Sequence, residues 1–210
     1  MPHPFQSARL VYRAVEEDDE DFFLKLQQDA LGYANAETRL KKPIGRKLTK
    51  TFLKHVMDEA LLGVVICLPA APAVAKSADS VDGGAGAGVQ PTLTPIGQVT
   101  LDGLEPEQSH HRHTDIGIDI LPEYQGKGYG SEAIRWVLRW AFMAAGMHRV
   151  SIGAFEYNTG AIRLYEKLGF KKEGCIRENF WHEGRFWNDV HFGMLASEWS
   201  EMRQLQEVQC

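Results

Sequence analysis

The hydrophobic pattern of this chain switches between a two-residue period and a helical one, and the switches divide it into elements. Residues 8–13 (ARLVYR) read as a short first strand. Residues 16–28 open with acidic side chains and carry Phe22, Phe23 and Leu26 at helical spacing, which predicts a helix whose acidic start suits its dipole. Residues 29–45 show neither period and contain Pro43 and Gly45, so they read as irregular. A second helix is expected over 47–60, with Phe52, Leu53, Val56 and Met57 on one side, and a buried strand over 62–68 (LGVVICL).

Residues 69–95 then break the pattern. They are rich in Ala, Pro, Gly, Ser and Asp and include GGAGAG at 83–88, a composition that cannot bury a core. We expect a flexible insertion whose ends, Leu68 and Ile96, face each other across a hairpin. Loop closure costs rise slowly with length, so the fold tolerates it. A strand over 96–101 and a polar turn at 106–113 follow. Residues 115–121 (DIGIDIL) alternate acidic or small residues with isoleucines, placing Asp115 and Asp119 on one face of a strand and Ile116, Ile118 and Ile120 on the other. Pro122 ends it. Ile134, Val137, Leu138, Ala141 and Phe142 mark a helix over 131–145. A strand is expected over 149–156, and a short helix over 158–169 with Asn158 as its cap and Gly169 as its stop. Two long antiparallel strands, 170–178 and 186–196, turn at Glu183-Gly184, with Trp181, Phe186 and Trp187 assigned to core or hairpin packing. The tail from 197 reads as a polar helix. Strands and helices in this order predict one α/β (α+β) domain over 1–210.

The candidate chemistry sits at residues 125–130 (QGKGYG), between a strand and a helix start. Glycines at 126, 128 and 130 permit positive φ and close approach to a ligand. The free amides of the turn and of the first helical turn converge with the helix dipole behind them, forming an anion site suited to pyrophosphate. The spacing fits neither the dinucleotide fingerprint GxGxxG nor the phosphate loop GxxxxGK[ST].

Composition narrows the function classes. A formal net charge of −5 provides no basic field for nucleic acid. Cys67, Cys175 and Cys210 are scattered and odd in number, the pattern of reduced thiols in a cytoplasmic or nuclear compartment. No apolar run approaches the ~20 residues of a membrane span, and residues 1–5 lack the features of a signal peptide. His110, His111 and His113 lie close together, but with no cysteine or carboxylate pattern they read as a solvated turn and no metal is expected.

Taken with residues 158–170 (NTGAIRLYEKLGF), the glycine turn resembles the GCN5-related N-acetyltransferase (GNAT) superfamily. Its Q/R-x-x-G-x-G/A hallmark is matched by Gln125, Gly128 and Gly130. Glu173, Gly174, Arg177, Glu178, Gly184, Arg185 and Asp189 further resemble the branch that acetylates ribosomal-protein N-termini and polyamines. The resemblance covers roughly 8–68 and 95–196. It implies a mixed, mostly antiparallel twisted sheet, split between its central strands, with helices on both faces. It implies acetyl-CoA as co-substrate, held by Ile120, Leu121, Gln125, Gly126, Lys127, Gly128, Tyr129, Gly130, Ser131 and Asn158, with the pantetheine arm pairing along the central strand like an added strand. Asn158 could equally be a plain helix cap, and Lys127 could be solvated. By the same resemblance Tyr165 protonates the departing thiolate, since a phenol keeps its proton at neutral pH. Asp115 stands where relatives carry a basic-role glutamate; acting directly, or through water because it is one carbon shorter, it would deprotonate the amine, with Asp119 as the alternative. Residues 29–45 would close over the acceptor. Protein N-terminus, polyamine, aminoglycoside-like amine and small metabolite all remain open as acceptors, as do monomer and homodimer. A catalytically silent acyl-CoA sensor of the same fold is the competing reading.

Overall fold

The computed structural model describes residues 3–69 and 92–208. A seven-stranded sheet runs in the order β1-β2-β3-β4-β5-β7-β6, made of β1 (Val11–Ala14), β2 (Leu62–Pro69), β3 (Leu93–Leu101), β4 (His113–Ile120), β5 (Arg149–Phe155), β6 (Lys171–His182) and β7 (Arg185–Leu195). Every neighbouring pair is antiparallel except β4 with β5. That parallel pair is short. Only His113, Thr114 and Asp115 pair, with Arg149, Val150 and Ser151, and beyond them the two strands part. On its other edge β4 stays in unbroken register with β3 as far as Ile120. The expected split between central strands is therefore present, and no bulge disturbs the facing of β4 against β3.

The helices cover both faces: α1 (Glu20–Gln28), α2 (Ala30–Ala36), α3 (Arg46–Asp58), α4 (Tyr129–Arg139), α5 (Thr159–Lys167) and α6 (Ala196–Val208). Strand β2 shows why both faces are needed. Val64 and Ile66 pack with the cluster under α4, α5 and Trp199, while Val65 and Cys67 pack with Phe23, Leu53 and Val56 of α1 and α3. All four strand residues are buried, so the continuous apolar run is a strand covered twice. The α4 helix ends in a single π-helical turn, Trp140–Ala144, within the stretch expected to be regular.

Several boundaries differ from expectation. Residues 30–36, read as irregular, form α2, because Asp29 caps them by accepting from the amides of Leu31 and Gly32. Strand β2 extends to Pro69 and β3 starts at Leu93, so the low-complexity insertion is shorter than 69–95 and its residues 70–91 lie outside the described residues. Leu68 pairs with Thr94 rather than Ile96: the register before the bulge at Ile66/Cys67 would set it against Pro95, and the bulge moves it one residue further. The β6–β7 turn has positive φ at both Glu183 and Gly184, which is the two-residue hairpin geometry that matches strand twist. An Arg13–Asp19 pair, with both guanidinium nitrogens on the carboxylate at 2.6 and 2.7 Å, ties the strand β1 to the start of α1. Asp19 is buried; burial opposes its charge, but the bonds from Arg13 and the Glu16 amide hold its carboxyl below the usual range.

Candidate active site

Where β4 and β5 part, a cavity of about 520 Å³ opens, a size suited to a small-molecule site. Its walls come from β4, the glycine turn, α4, α5 and the α1–α2 junction. Gly126 and Gly128 have φ of +71° and +82°, in the left-handed region that a side chain resists. A Cβ on Gly126 would meet nothing within 4 Å, so the turn presents bare backbone. Gly128 is the N-cap of α4 and supplies no side-chain cap. The first-turn amides of Tyr129, Gly130 and Ser131 have no intrahelical acceptor, and the dipole adds partial positive charge there. This cradle fits a pyrophosphate. Gln125 serves the turn structurally: its Nε2 donates to the Ile120 carbonyl at 2.7 Å and ties the turn to the end of β4.

Of the residues expected to hold acetyl-CoA, Ile120, Gln125, Gly126, Gly128, Tyr129, Gly130, Ser131 and Asn158 line this cavity. Leu121 and Lys127 do not. Leu121 is buried in the core and its amide donates to the Ile96 carbonyl. The Lys127 ammonium turns back to the Glu123 carbonyl and lies over the Tyr124 ring. Asn158 caps α5, its Oδ1 accepting from the Ala161 amide at 3.2 Å, and also faces the cavity.

The two expected catalytic residues part company. Tyr165, on α5, lines the cavity and is only 7% exposed, packed edge-on to Phe192. Burial, with the nearby charge of Asp119, pushes its phenol up to about 12. Asp115 does not reach the cavity. It lies in the stretch of β4 that still pairs with β5, before the split, and its side chain is exposed. The carboxylate that faces the cavity is Asp119, four residues further along the same face. Burial holds its carboxyl above the usual range, opposed by a bond from Gln98 and reinforced by the charge of Asp29. Gln98 is itself buried and donates Nε2 to Asp119 Oδ2 at 2.8 Å, leaving its Oε1 with no partner among the described residues.

Asp29 also lines the cavity, from the α1–α2 junction, together with Asn35. One cavity thus carries an anion cradle and, elsewhere on its wall, two carboxylates. A second cavity of about 570 Å³ adjoins it, sharing Asn35, Asn158 and Gly160. Tyr157, His182 and Trp187 line this chamber, with the Tyr157 ring stacked 4.3 Å from His182 and edge-on to Trp187 at 5.3 Å. Trp187, expected as core or hairpin packing, therefore borders the chamber; Trp181 and Phe186 pair across the hairpin and are exposed. Asp29, Gln98 and Tyr157 carry no sequence signal as site residues. Asp29 could have been found as an N-cap ahead of α2; the others depend on strand register and on a long-range contact. Among the described residues no group of three metal-ligating side chains converges, and His110, His111 and His113 lie on the surface around a 3₁₀ turn and the start of β4. No helix among them is long and apolar enough to cross a membrane.

The model of the acetyltransferase (GNAT) domain matches residues 9–171. The chain is 33% identical over 89 residues to spermidine N(1)-acetyltransferase of Vibrio cholerae, an alignment covering 42% of this chain and 51% of that protein. It is 37% identical over 79 residues to the uncharacterized N-acetyltransferase YokL of Bacillus subtilis, covering 38% of this chain and 45% of that one. The chain spans about half the length of the curated relatives it matches. Among solved structures, spermidine N-acetyltransferase from V. cholerae in complex with CoA and spermine superimposes with a TM-score of 0.70 at 25% identity, over 92% of this chain and 99% of that one. A GNAT-family acetyltransferase from Bacillus anthracis, at 19% identity and a TM-score of 0.68, shares the fold over 92% of this chain and 98% of that one.

Proposed function

Because this chain belongs to the acetyltransferase (GNAT) domain family, we propose that it transfers an acetyl group from acetyl-CoA to a primary amine, and that a cationic polyamine is the acceptor class its cavity suits best. The observation that carries this reading is the pairing, in one cavity, of the glycine cradle with Asp29 and Asp119. The cradle suits the phosphates of the donor. The carboxylates suit an acceptor that arrives as an ammonium, and two of them favour an acceptor with more than one positive charge. The likeness to the spermidine acetyltransferases of V. cholerae described above supports the same class.

When bound, acetyl-CoA supplies an acyl group activated as a thioester. The work of this chain is to bring the two substrates together, the largest contribution open to it in a two-substrate reaction. Its amine must shed a proton before it can attack. Asp119 is the carboxylate placed to take that proton, and its raised affinity for protons brings it nearer the working pH than an ordinary aspartate. Gln98 suits either state: its Nε2 donates to the ionised carboxylate, and after rotation its Oε1 accepts from the protonated one. Asp115, in the paired part of the strand, is left without this role. Tyr165 Oη keeps its proton up to about pH 12 and is a donor at the cavity wall for a departing sulfur. The second chamber, beside Asn35 and Asn158, has room for the rest of the acceptor.

The test is release of CoA thiol from acetyl-CoA with spermidine, spermine, amino sugars, free amino acids and short N-terminal peptides. Turnover with the polyamines well above the other acceptors is the expected result. Preference for peptides or amino sugars would refute the acceptor class, and CoA binding without turnover on any amine would favour a sensor.

A further inference from the structure

We propose that Arg9 is a positioning residue for the glycine turn: it holds the turn in its anion-binding shape and neutralises Glu132 beside it. The inference rests on the reading of this turn as the pyrophosphate site. Arg9 precedes β1, 118 positions from Lys127 in sequence, yet its Nη1 donates to the Lys127 carbonyl at 3.0 Å. Lys127 lies between the two positive-φ glycines, so its peptide group is the point from which both are restrained. The same guanidinium donates Nε to Glu132 Oε2 at 2.7 Å, and the Arg9 amide donates to Oε1 at 2.7 Å. Its plane lies over the Tyr129 ring, 4.6 Å from the centroid. Its Nη2 is 3.4 Å from where a Cβ on Gly128 would stand. One side chain therefore ties the turn to the first helical turn that follows it.

Glu132 explains why the residue should be charged. It sits in the first turn of α4, whose free amides form the cradle. Burial works against its charge, but hydrogen bonds from Ser7 and Arg9 outweigh burial and hold its carboxyl below the usual range. An ionised carboxylate next to an anion seat repels what the seat should bind, by Coulomb's law. Arg9 cancels it. An arginine does this better than a lysine because its fork reaches a carbonyl and a carboxylate in different directions from one rigid plane. The segment that carries Arg9 is itself anchored: the Trp136 indole donates to the Pro4 carbonyl at 2.9 Å, and Tyr12 stacks on Trp136 at 3.7 Å.

The experiment compares wild type, R9Q, R9K, E132Q and R9Q/E132Q, with acetyl-CoA and with S-acetylpantetheine, a thioester that lacks the pyrophosphate. Binding of CoA and of pantetheine is measured in parallel by calorimetry, and melting temperature checks the fold. We expect R9Q to raise the Kd of CoA and the KM of acetyl-CoA on the order of 10-fold, the weight of a lost charge-assisted hydrogen bond, while kcat and the amine KM hold. Efficiency with S-acetylpantetheine should be unchanged. R9K should recover only part, and E132Q in the R9Q background should recover part by removing the unbalanced charge. An equal loss with both donors, or an unchanged Kd for CoA, overturns the proposal. R9K carries the same comparison should R9Q fail to fold. Absence of amine turnover with intact CoA binding refutes acetyl transfer and leaves Arg9 to be judged on the CoA and pantetheine affinities. Wild type that binds no CoA overturns both.

Discussion

Replacing Gly128 with valine puts the cradle to its most direct test. The residue has φ of +82° and ψ of 3°. Left-handed backbone costs an ordinary L-residue roughly 1–2 kcal/mol, and a β-branched side chain stands at the upper end or beyond. The new Cβ would also press on Arg9 Nη2 at 3.4 Å, a contact that the guanidinium can relieve by moving. About 2 kcal/mol is therefore the backbone strain alone, equivalent to roughly 30-fold in an equilibrium constant. If the turn relaxes to negative φ in the free protein, ligand binding must restore it, and the strain appears as weaker CoA binding. If the turn stays put, the strain appears as a fall in Tm of roughly 4–8 °C, at about 2–4 °C per kcal/mol for a chain of this size. Gly126→Ala is the calibrating partner. Its φ is +71° with no atom within 4 Å of the new Cβ, so it carries strain without collision, about 1 kcal/mol or roughly 5-fold. Isothermal calorimetry with CoA and differential scanning calorimetry read the two channels together. The reasoning fails if Gly128→Val binds CoA within ~2-fold of wild type with Tm unchanged, since neither channel would then contain the expected strain.

Tyr165→Phe should lower kcat on the order of 10²-fold with little change in CoA affinity, as for loss of a proton donor; steady-state kinetics beside calorimetry decides, and an unchanged kcat removes the phenol from the reaction. Asp119→Asn should cost on the order of 10²-fold or more in kcat, whereas Asp115→Asn should leave it near wild type. Asp119 also makes a stability prediction with a definite sign. Its folded-state affinity for protons is raised, so its contribution is complete below the unfolded carboxylate range and is lost as pH climbs through the folded value. Scanning calorimetry from pH 4 to 8 should find Asp119→Asn gaining on wild type as pH rises; a constant difference would mean the carboxyl is not desolvated. Asp19 has the opposite sign, because its carboxyl is held low. Asp19→Asn should cost about 3 kcal/mol near neutrality, the lower end for breaking a buried pair whose arginine stays partly wet, and the deficit should shrink as acid protonates wild type.

Most of the architecture could be read from periodicity. Strand β2 and helix α4 have uninterrupted apolar patterns, and their expected spans match within a few residues. Helix α2 could not be found that way. Its sequence, ALGYANA, has a glycine and an asparagine within about two turns, and it is held by the Asp29 cap and by packing rather than by propensity. The glycine turn was legible because positive φ leaves a mark on residue type, as Gly126 and Gly128 show. The base was not. Motif position pointed to Asp115, and the two aspartates share a face, so only the point at which β4 leaves β5 separates the exposed carboxylate from the one in the cavity. Arg9 left no mark either, because a contact between the start of the chain and its middle has no local pattern.

The brevity of the β4–β5 ladder bears on how the molecule comes apart. Three residue pairs make up the ladder between the sheet's two halves, β1 to β4 and β5-β7-β6, extended at its start by the amides of His148 and Arg149, which donate to the Arg112 carbonyl. The cluster under α4 and α5 crosses that line, with Ile116 and Ile134 packed into the same interior as Val150 and Phe192. The halves are therefore joined mainly by side-chain packing, while each is internally stitched by long antiparallel ladders such as β6 with β7. Partial opening along this line should cost less than unfolding either half, and amide hydrogen exchange under mild denaturant should resolve two cooperative units. Amides of β4 beyond Asp115 and of β5 beyond Ser151 that point into the split, rather than toward β3 or β7, should be the boundary that exchanges early.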